Sequence, residues 1–174
     1  MTSETIQQEA PDMDLADMPE NLIQLLRSGG TLGEAYGGMT PQDRGSIYRM
    51  GYVLYEQGRY RDAFKLFSAL VIQDHRDHRY LFALGSTCQM LGHYNDALQH
   101  YMNAAAANAD DPRPIFHAAQ CLIALKHFPV AIESLEMVIE FCPDPQSALH
   151  IRSKALLQGL RAKTKQQGVQ DEHH

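Results

Sequence analysis

Tryptophan is absent from this 174-residue chain, cysteine occurs three times, and 15 Lys and Arg stand against 21 Asp and Glu. Each shortage excludes a class of protein. Cys88, Cys121 and Cys142 are an odd set at wide spacings, which suits neither a disulfide framework nor a zinc site. A net charge of −6 argues against a general nucleic-acid binder, whose phosphate contacts need a clustered basic surface. No run of 18 apolar residues occurs, so no membrane-spanning helix is expected, while 44% hydrophobic content allows one domain with a substantial core. Catalytic signatures are missing as well. Without His-Glu-x-x-His, Gly-x-Ser-x-Gly or a dinucleotide fingerprint, the chain is expected to be no enzyme and to use no cofactor. Glycines 29, 30, 33, 37 and 38 make no phosphate loop, because no Gly-Lys-Ser/Thr follows them. Asp74-His75-Arg76-Asp77-His78 sets two imidazoles three apart beside two carboxylates, but with no further ligands these read as solvated loop charges, not a metal site.

What is present is a period of 34. Gly51, Gly85 and Ala119 form one series, Tyr60, Tyr94 and Phe128 a second, and Ala63, Ala97 and Ala131 a third. Leu54, Cys88 and Leu122 keep the same register, as do Phe67, Tyr101 and Leu135, and Leu70, Ala104 and Val138. Small and aromatic positions alternating at this period are the tetratricopeptide pattern, one helix hairpin per unit. The first small series lets one helix of a hairpin approach the other closely, and the alanines answer from the second helix. Cys88, at a recurring core position, is a small buried hydrophobe in this scheme. Gly58 and Gly92 fall where a positive φ can end the first helix, and the third unit has Lys126 there instead. Pro129, at the expected start of the next helix, has its φ already set. The fold expected is all-α: three tandem repeats over 44–145 (44–77, 78–111 and 112–145) in a right-handed superhelix.

The flanks read differently. Residues 1–20 hold six acidic residues and neither Lys nor Arg, a composition expected of no secretory or mitochondrial targeting peptide, and 1–18 reads as a disordered acidic leader in an intracellular protein. Residues 19–38 are an N-terminal helix (PENLIQLLR, 19–27) followed by a Gly-rich connector. That helix is too short to stand alone and exposes Leu22, Ile23, Leu25 and Leu26, so it must dock, either on the first repeat or on a second copy of the chain. Residues 146–167 carry Leu149, Leu156 and Leu160 near helical spacing with five basic residues elsewhere, as a C-terminal capping helix would, and 168–174 reads as a disordered tail.

Without catalysis, function falls to the concave face of the superhelix, lined by one face of each first helix. Counting Arg44 as position 1, positions 2, 5, 9 and 12 form one stripe. It comprises Gly45, Tyr48, Tyr52 and Tyr55 in the first unit, Arg79, Phe82, Ser86 and Gln89 in the second, and Arg113, Phe116, Gln120 and Ile123 in the third. The repeat core is already supplied by the periodic series, so the tyrosines are surplus to it and suit a wetted apolar groove for an extended peptide. Repeats that clamp a C-terminal Glu-Glu-Val-Asp need Lys, Asn, Asn, Lys and Arg at the five positions held here by Tyr48, Tyr52, Ala83, Arg113 and His117, where Arg113 is the one cation kept.

The stretch IYRMGYVLYEQGRYRDAFKLFSALVIQDHRDHRYLFALGSTCQMLGHYNDAL, then DPRPIFHAAQCLIAL, with LLRSGGTLGE upstream, resembles the class II chaperones of bacterial type III secretion systems, which serve the translocator proteins. The resemblance runs from about residue 21 to 142. It implies a small acidic cytoplasmic protein that binds hydrophobic secreted translocators before export, keeping them soluble and apart. It implies that a translocator segment of the form Pro-x-Leu-x-x-Pro lies in the concave groove, with Tyr48, Tyr55 and Tyr60 at positions that contribute in the family. Tyr60 belongs to the turn series, where a structural part is equally open. The resemblance further implies a homodimer without cargo, through the helix bearing Leu22, Ile23, Leu25 and Leu26, and for some members a transcriptional regulator as a second partner. A repeat scaffold joining two soluble proteins, or a transcriptional cofactor acting through the basic last helix, are the alternatives of other classes.

Overall fold

The computed structural model describes residues 24, 27–28, 30–35, 37–142 and 144–171. Among them there are helices and no strand: α1 (Leu32–Ala35), α2 (Pro41–Glu56), α3 (Tyr60–Gln73), α4 (His78–Met90), α5 (Tyr94–Ala107), α6 (Arg113–Ala124), α7 (Phe128–Phe141) and α8 (Ala148–Asp171). Helices α2 to α7 are three antiparallel hairpins stacked in chain order, and α8 closes the stack against α7. Close approaches also run from α2 to α4, α4 to α6 and α6 to α8, so the first helices form an inner layer and α8 completes it.

The first hairpin opens earlier than the repeat register at Arg44. Thr40 caps α2 by accepting from Asp43 N–H at 3.2 Å, Asp43 reaches back to Thr40 N–H, and Pro41 occupies the first turn where its missing N–H costs nothing. Ahead of it, Thr31 and Glu34 cap α1 in the same reciprocal way, and Met39 N–H donates to Gln73 Oε1 at 3.1 Å. The Gly-rich connector is thus fastened to the end of α3. Leu22, Ile23, Leu25 and Leu26 lie outside the described residues, as does residues 1–18, the acidic leader.

Each hairpin closes by the same device. In the first, Gly58 N–H donates to Tyr55 O and Arg59 N–H to Leu54 O; in the second, Gly92 to Gln89 and His93 to Cys88; in the third, Lys126 to Ile123 and His127 to Leu122. This double bond pattern needs a left-handed residue after the helix, and φ is 73° at Gly58, 79° at Gly92 and 63° at Lys126. The lysine therefore carries the strain that glycine avoids. Lys126→Gly is expected to stabilise the protein by about 1 kcal/mol, read as a rise of about 3 °C in the thermal midpoint. Pro129 is the second residue of α7, not its first.

The small series does what its chemistry requires, though its partner differs from expectation. A Cβ at Gly51 would lie 2.7 Å from Phe67 Cε1, and one at Gly85 3.0 Å from Tyr101 Cδ1. The close approach is therefore glycine to aromatic ring, with Ala63, Ala97 and Ala131 fully buried alongside. Cys88 and Cys121 are buried too, and burial pushes both thiols up to about 11, so they act as apolar core atoms. Helix α8 buries Leu157 and Leu160, half-buries Leu149 and Leu156, and runs to Asp171, beyond the expected end at 167.

Candidate functional site

Three first helices set side by side leave a hollow of about 420 Å³ on the inner face. Tyr48, Tyr52 and Tyr55 of α2 form one wall, His78, Arg79, Phe82, Ala83 and Ser86 of α4 the middle, and Asp111, Arg113, Pro114 and His117 the far side, with Phe67 of α3 at the floor. Helical spacing puts the three tyrosines on one stripe, and α4 repeats it one hairpin on.

The tyrosines differ among themselves. Tyr48 is half-buried, its ring centroid 5.8 Å from Phe67 and 5.7 Å from Tyr80, and Tyr55 stands edge-on to Tyr60 at 5.3 Å. Both serve the core as well as the hollow, so they are not surplus to packing. Tyr52 is 51% exposed and is the one free to meet a ligand with its whole ring. No hydrogen bond of the described residues engages any of the three hydroxyls.

Two arginines frame the rim in equivalent ways. Arg79 donates through Nε and Nη2 to Asp77 at 3.0 and 2.6 Å, and Arg113 through the same atoms to Asp111 at 2.8 and 2.7 Å. Burial would push both carboxyls up, but these bonds outweigh it and hold Asp77 and Asp111 below the usual carboxylate range. No hydrogen bond of the described residues engages Nη1 of either fork, and the Arg113 guanidinium lies 5.7 Å over the Phe82 ring. Deeper in, the Tyr101 hydroxyl donates to Gln89 Oε1 at 2.7 Å and lies 3.1 Å from Ser86 Oγ, while Gln89 Nε2 donates to Gln120 Oε1 at 3.3 Å.

Of the residues expected to line the groove, Tyr48, Tyr52, Tyr55, Arg79, Phe82, Ser86 and Arg113 come together, and Tyr60, Gln89, Phe116, Gln120 and Ile123 do not line the hollow. Phe116 is 2% exposed and packs with Leu135, Val138 and Leu157 in the core under α8, so its place in a surface groove is corrected. Ile123 packs against two core clusters beneath the same helix. Gln89 and Gln120 form the polar link just described, and Tyr60 braces Tyr55. Phe67, His78, Asp111, Pro114 and His117 were missed. The Asp-x-Arg pairs at 77 and 79 and at 111 and 113 repeat at 34 and would have revealed Asp111. The loop histidines and aspartates form no metal cluster among the described residues.

His117 stacks on Tyr101 at 5.4 Å and meets Phe82 edge-on at 5.3 Å. Burial, with Arg152 and Arg113 nearby and Asp111 opposing them, lowers its pKa below 6.5, and burial lowers that of His100 likewise against Asp96. Below about pH 6.5 the unfolded chain then binds protons that the folded one resists, so this share of stability is complete above 6.5 and is lost as pH falls. Denaturant midpoints are expected to drop between pH 7.5 and 5.5, and to drop less in His117→Leu.

No described helix is long and apolar enough to cross a membrane. A family model described as anaphase-promoting complex, cyclosome, subunit 3 matches residues 31–104. The chain is 29% identical over 160 residues to the low calcium response locus protein H of Yersinia pestis, spanning 91% of this chain and 94% of that protein. It is 30% identical over 156 residues to the chaperone protein SicA of Salmonella dublin, spanning 87% of this chain and 91% of that one. The Yersinia enterocolitica type III secretion chaperone SycD, solved in complex with a peptide of the translocator YopD, aligns with a TM-score of 0.69 and 29% identity, over 72% of this chain and 97% of that one.

Proposed function

This chain belongs to the family of type III secretion translocator chaperones, and from that premise we propose that it holds a hydrophobic translocator in the bacterial cytoplasm, soluble and apart from its partners, until secretion. The observation that carries the site is the hollow between α2, α4 and α6, apolar at its floor and ringed by two arginine forks and three phenols whose hydroxyls no hydrogen bond among the described residues engages. An extended segment with apolar side chains, of Pro-x-Leu-x-x-Pro type, suits it: the rings receive leucine and proline, and the rim donors meet backbone carbonyls. Occupying part of an aggregation-prone chain suppresses self-association by mass action, with no nucleotide and no catalytic residue. Release then depends on the secretion machine.

The basic last helix supports the alternative cofactor role less than its sequence suggests. Arg161 pairs with Glu136, Lys163 sits 5.3 Å over the Phe128 ring, and Arg152 5.2 Å over Phe116. Three of its cations are thereby tied to the fold. A homodimer through residues 19–27 remains part of the proposed function, its contact residues lying outside those described.

The test is fluorescence polarisation of a labelled Pro-x-Leu-x-x-Pro segment from the translocator. Saturable binding is expected, weakened about tenfold or more by Tyr48→Ala and by alanine at the peptide's prolines and leucine. Binding that ignores both changes contradicts the proposal. Because Tyr48 also packs on Phe67, thermal melts of the variant accompany the titration.

A further inference from the structure

The hollow presents hydrogen-bond donors that the fold leaves unused. Tyr48, Tyr52 and Tyr55 present hydroxyls that no described group engages, and Arg79 and Arg113 spend Nε and Nη2 on Asp77 and Asp111 but keep their Nη1 hydrogens. The matching ligand is an extended strand of apolar side chains separated by carboxylates. Such a strand exists in the same chain: residues 11–19 read PDMDLADMP, with Met13, Leu15 and Met18 set among Asp12, Asp14 and Asp17, and prolines at both ends that disfavour a competing helix.

Reach permits the contact. Gly33, Gly38 and Met39 lie against Gln73 at the end of α3, beside the start of α2, whose 16 residues are about 24 Å long. From Gly30 back to Pro19 is 30 − 19 = 11 residues, about 16 Å if helical and about 36 Å if extended, against about 10 Å along α2 from Pro41 to Tyr48.

We infer that residues 11–19 of this chain occupy its own concave hollow before cargo arrives, covering the apolar floor and competing with the translocator. The inference rests on the cargo reading of that hollow and adds a resident occupant. A tethered competitor at roughly millimolar effective concentration, binding its site at about 0.1 mM, lowers apparent cargo affinity about tenfold.

The absence of tryptophan makes this directly measurable. In full-length Leu15→Trp the single indole is expected to emit blue-shifted, independently of protein concentration, and to shift red when Tyr52→Glu is added or when translocator peptide is titrated in. In parallel, translocator peptide is expected to bind full-length Met13→Ser/Leu15→Ser/Met18→Ser about tenfold tighter than wild type. Emission matching that of the isolated labelled segment, or equal peptide affinity for both proteins, overturns the inference. A blue shift lost on dilution assigns the occupant to a second copy and overturns it too. If translocator peptide binds at Tyr52 while the indole stays solvent-like, the occupant fails and the cargo reading stands. If the indole is buried at Tyr52 but translocator peptide binds neither protein, the cargo reading fails and the occupant stands.

Discussion

Phe67→Ala is expected to destabilise the protein by about 3–5 kcal/mol, the largest loss of any single truncation considered, and to lower its thermal midpoint by about 10 °C. Phe67 is 1% exposed, packs with Ala63, Leu70 and Tyr80, contacts Tyr48, and fills the space left by Gly51. Removing it opens a cavity on both sides of the α2–α3 crossing, because neither helix can close on the other without moving its neighbour. The converse change is informative. An alanine at Gly51 would place Cβ 2.7 Å from Phe67 Cε1, so Gly51→Ala alone should cost about 1–3 kcal/mol despite alanine's better helix propensity. In a Phe67→Leu background the same substitution should cost less by about 1 kcal/mol or more, since the ring it meets is gone. Strict additivity in chemical denaturation would show that the glycine is not there to receive the ring.

Tyr52→Glu is expected to weaken translocator binding by about a hundredfold while leaving the thermal midpoint within about 2 °C of wild type. The residue is half-exposed, takes part in no close ring pair among the described residues, and lines the hollow from the middle of the tyrosine wall. Substitution removes an aromatic anchor of about 2 kcal/mol and adds a charge that bound peptide would have to desolvate. A matched Met102→Glu variant, on the exposed side of α5, is expected to bind normally. Equal losses in both variants would place the determinant outside the hollow.

The hairpins were legible because their signals are local. A small residue must face a bulky one, a ring in the first two hairpins and Leu135 in the third, and a residue with positive φ must follow each first helix. Both constraints recur at 34 wherever the hairpin recurs, and even the departure at Lys126 was visible and keeps the geometry at φ 63°. The groove was legible in its first two units and misleading in its third. Phe82 and Phe116 occupy the same register, yet one lines the hollow and the other is buried under α8. Position within a repeat fixes which way a side chain points, but what covers it depends on whether another hairpin or the terminal helix comes next. The count of surplus aromatics failed for a related reason: Tyr48 reaches both Phe67 and Tyr80, so one ring serves core and groove together. His117 carried no signal as a repeat position, since its role comes from stacking on Tyr101 across two hairpins.

The central claim is that the translocator lies in the hollow between α2, α4 and α6. The most direct measurement is site-specific photo-crosslinking of the chaperone co-produced with its translocator, with a benzophenone side chain at position 52 in one sample and at position 102 in another. Crosslinks from position 52 to the translocator's N-terminal region, with none from 102, are the result this account predicts. Crosslinks from 102 with none from 52 would contradict it.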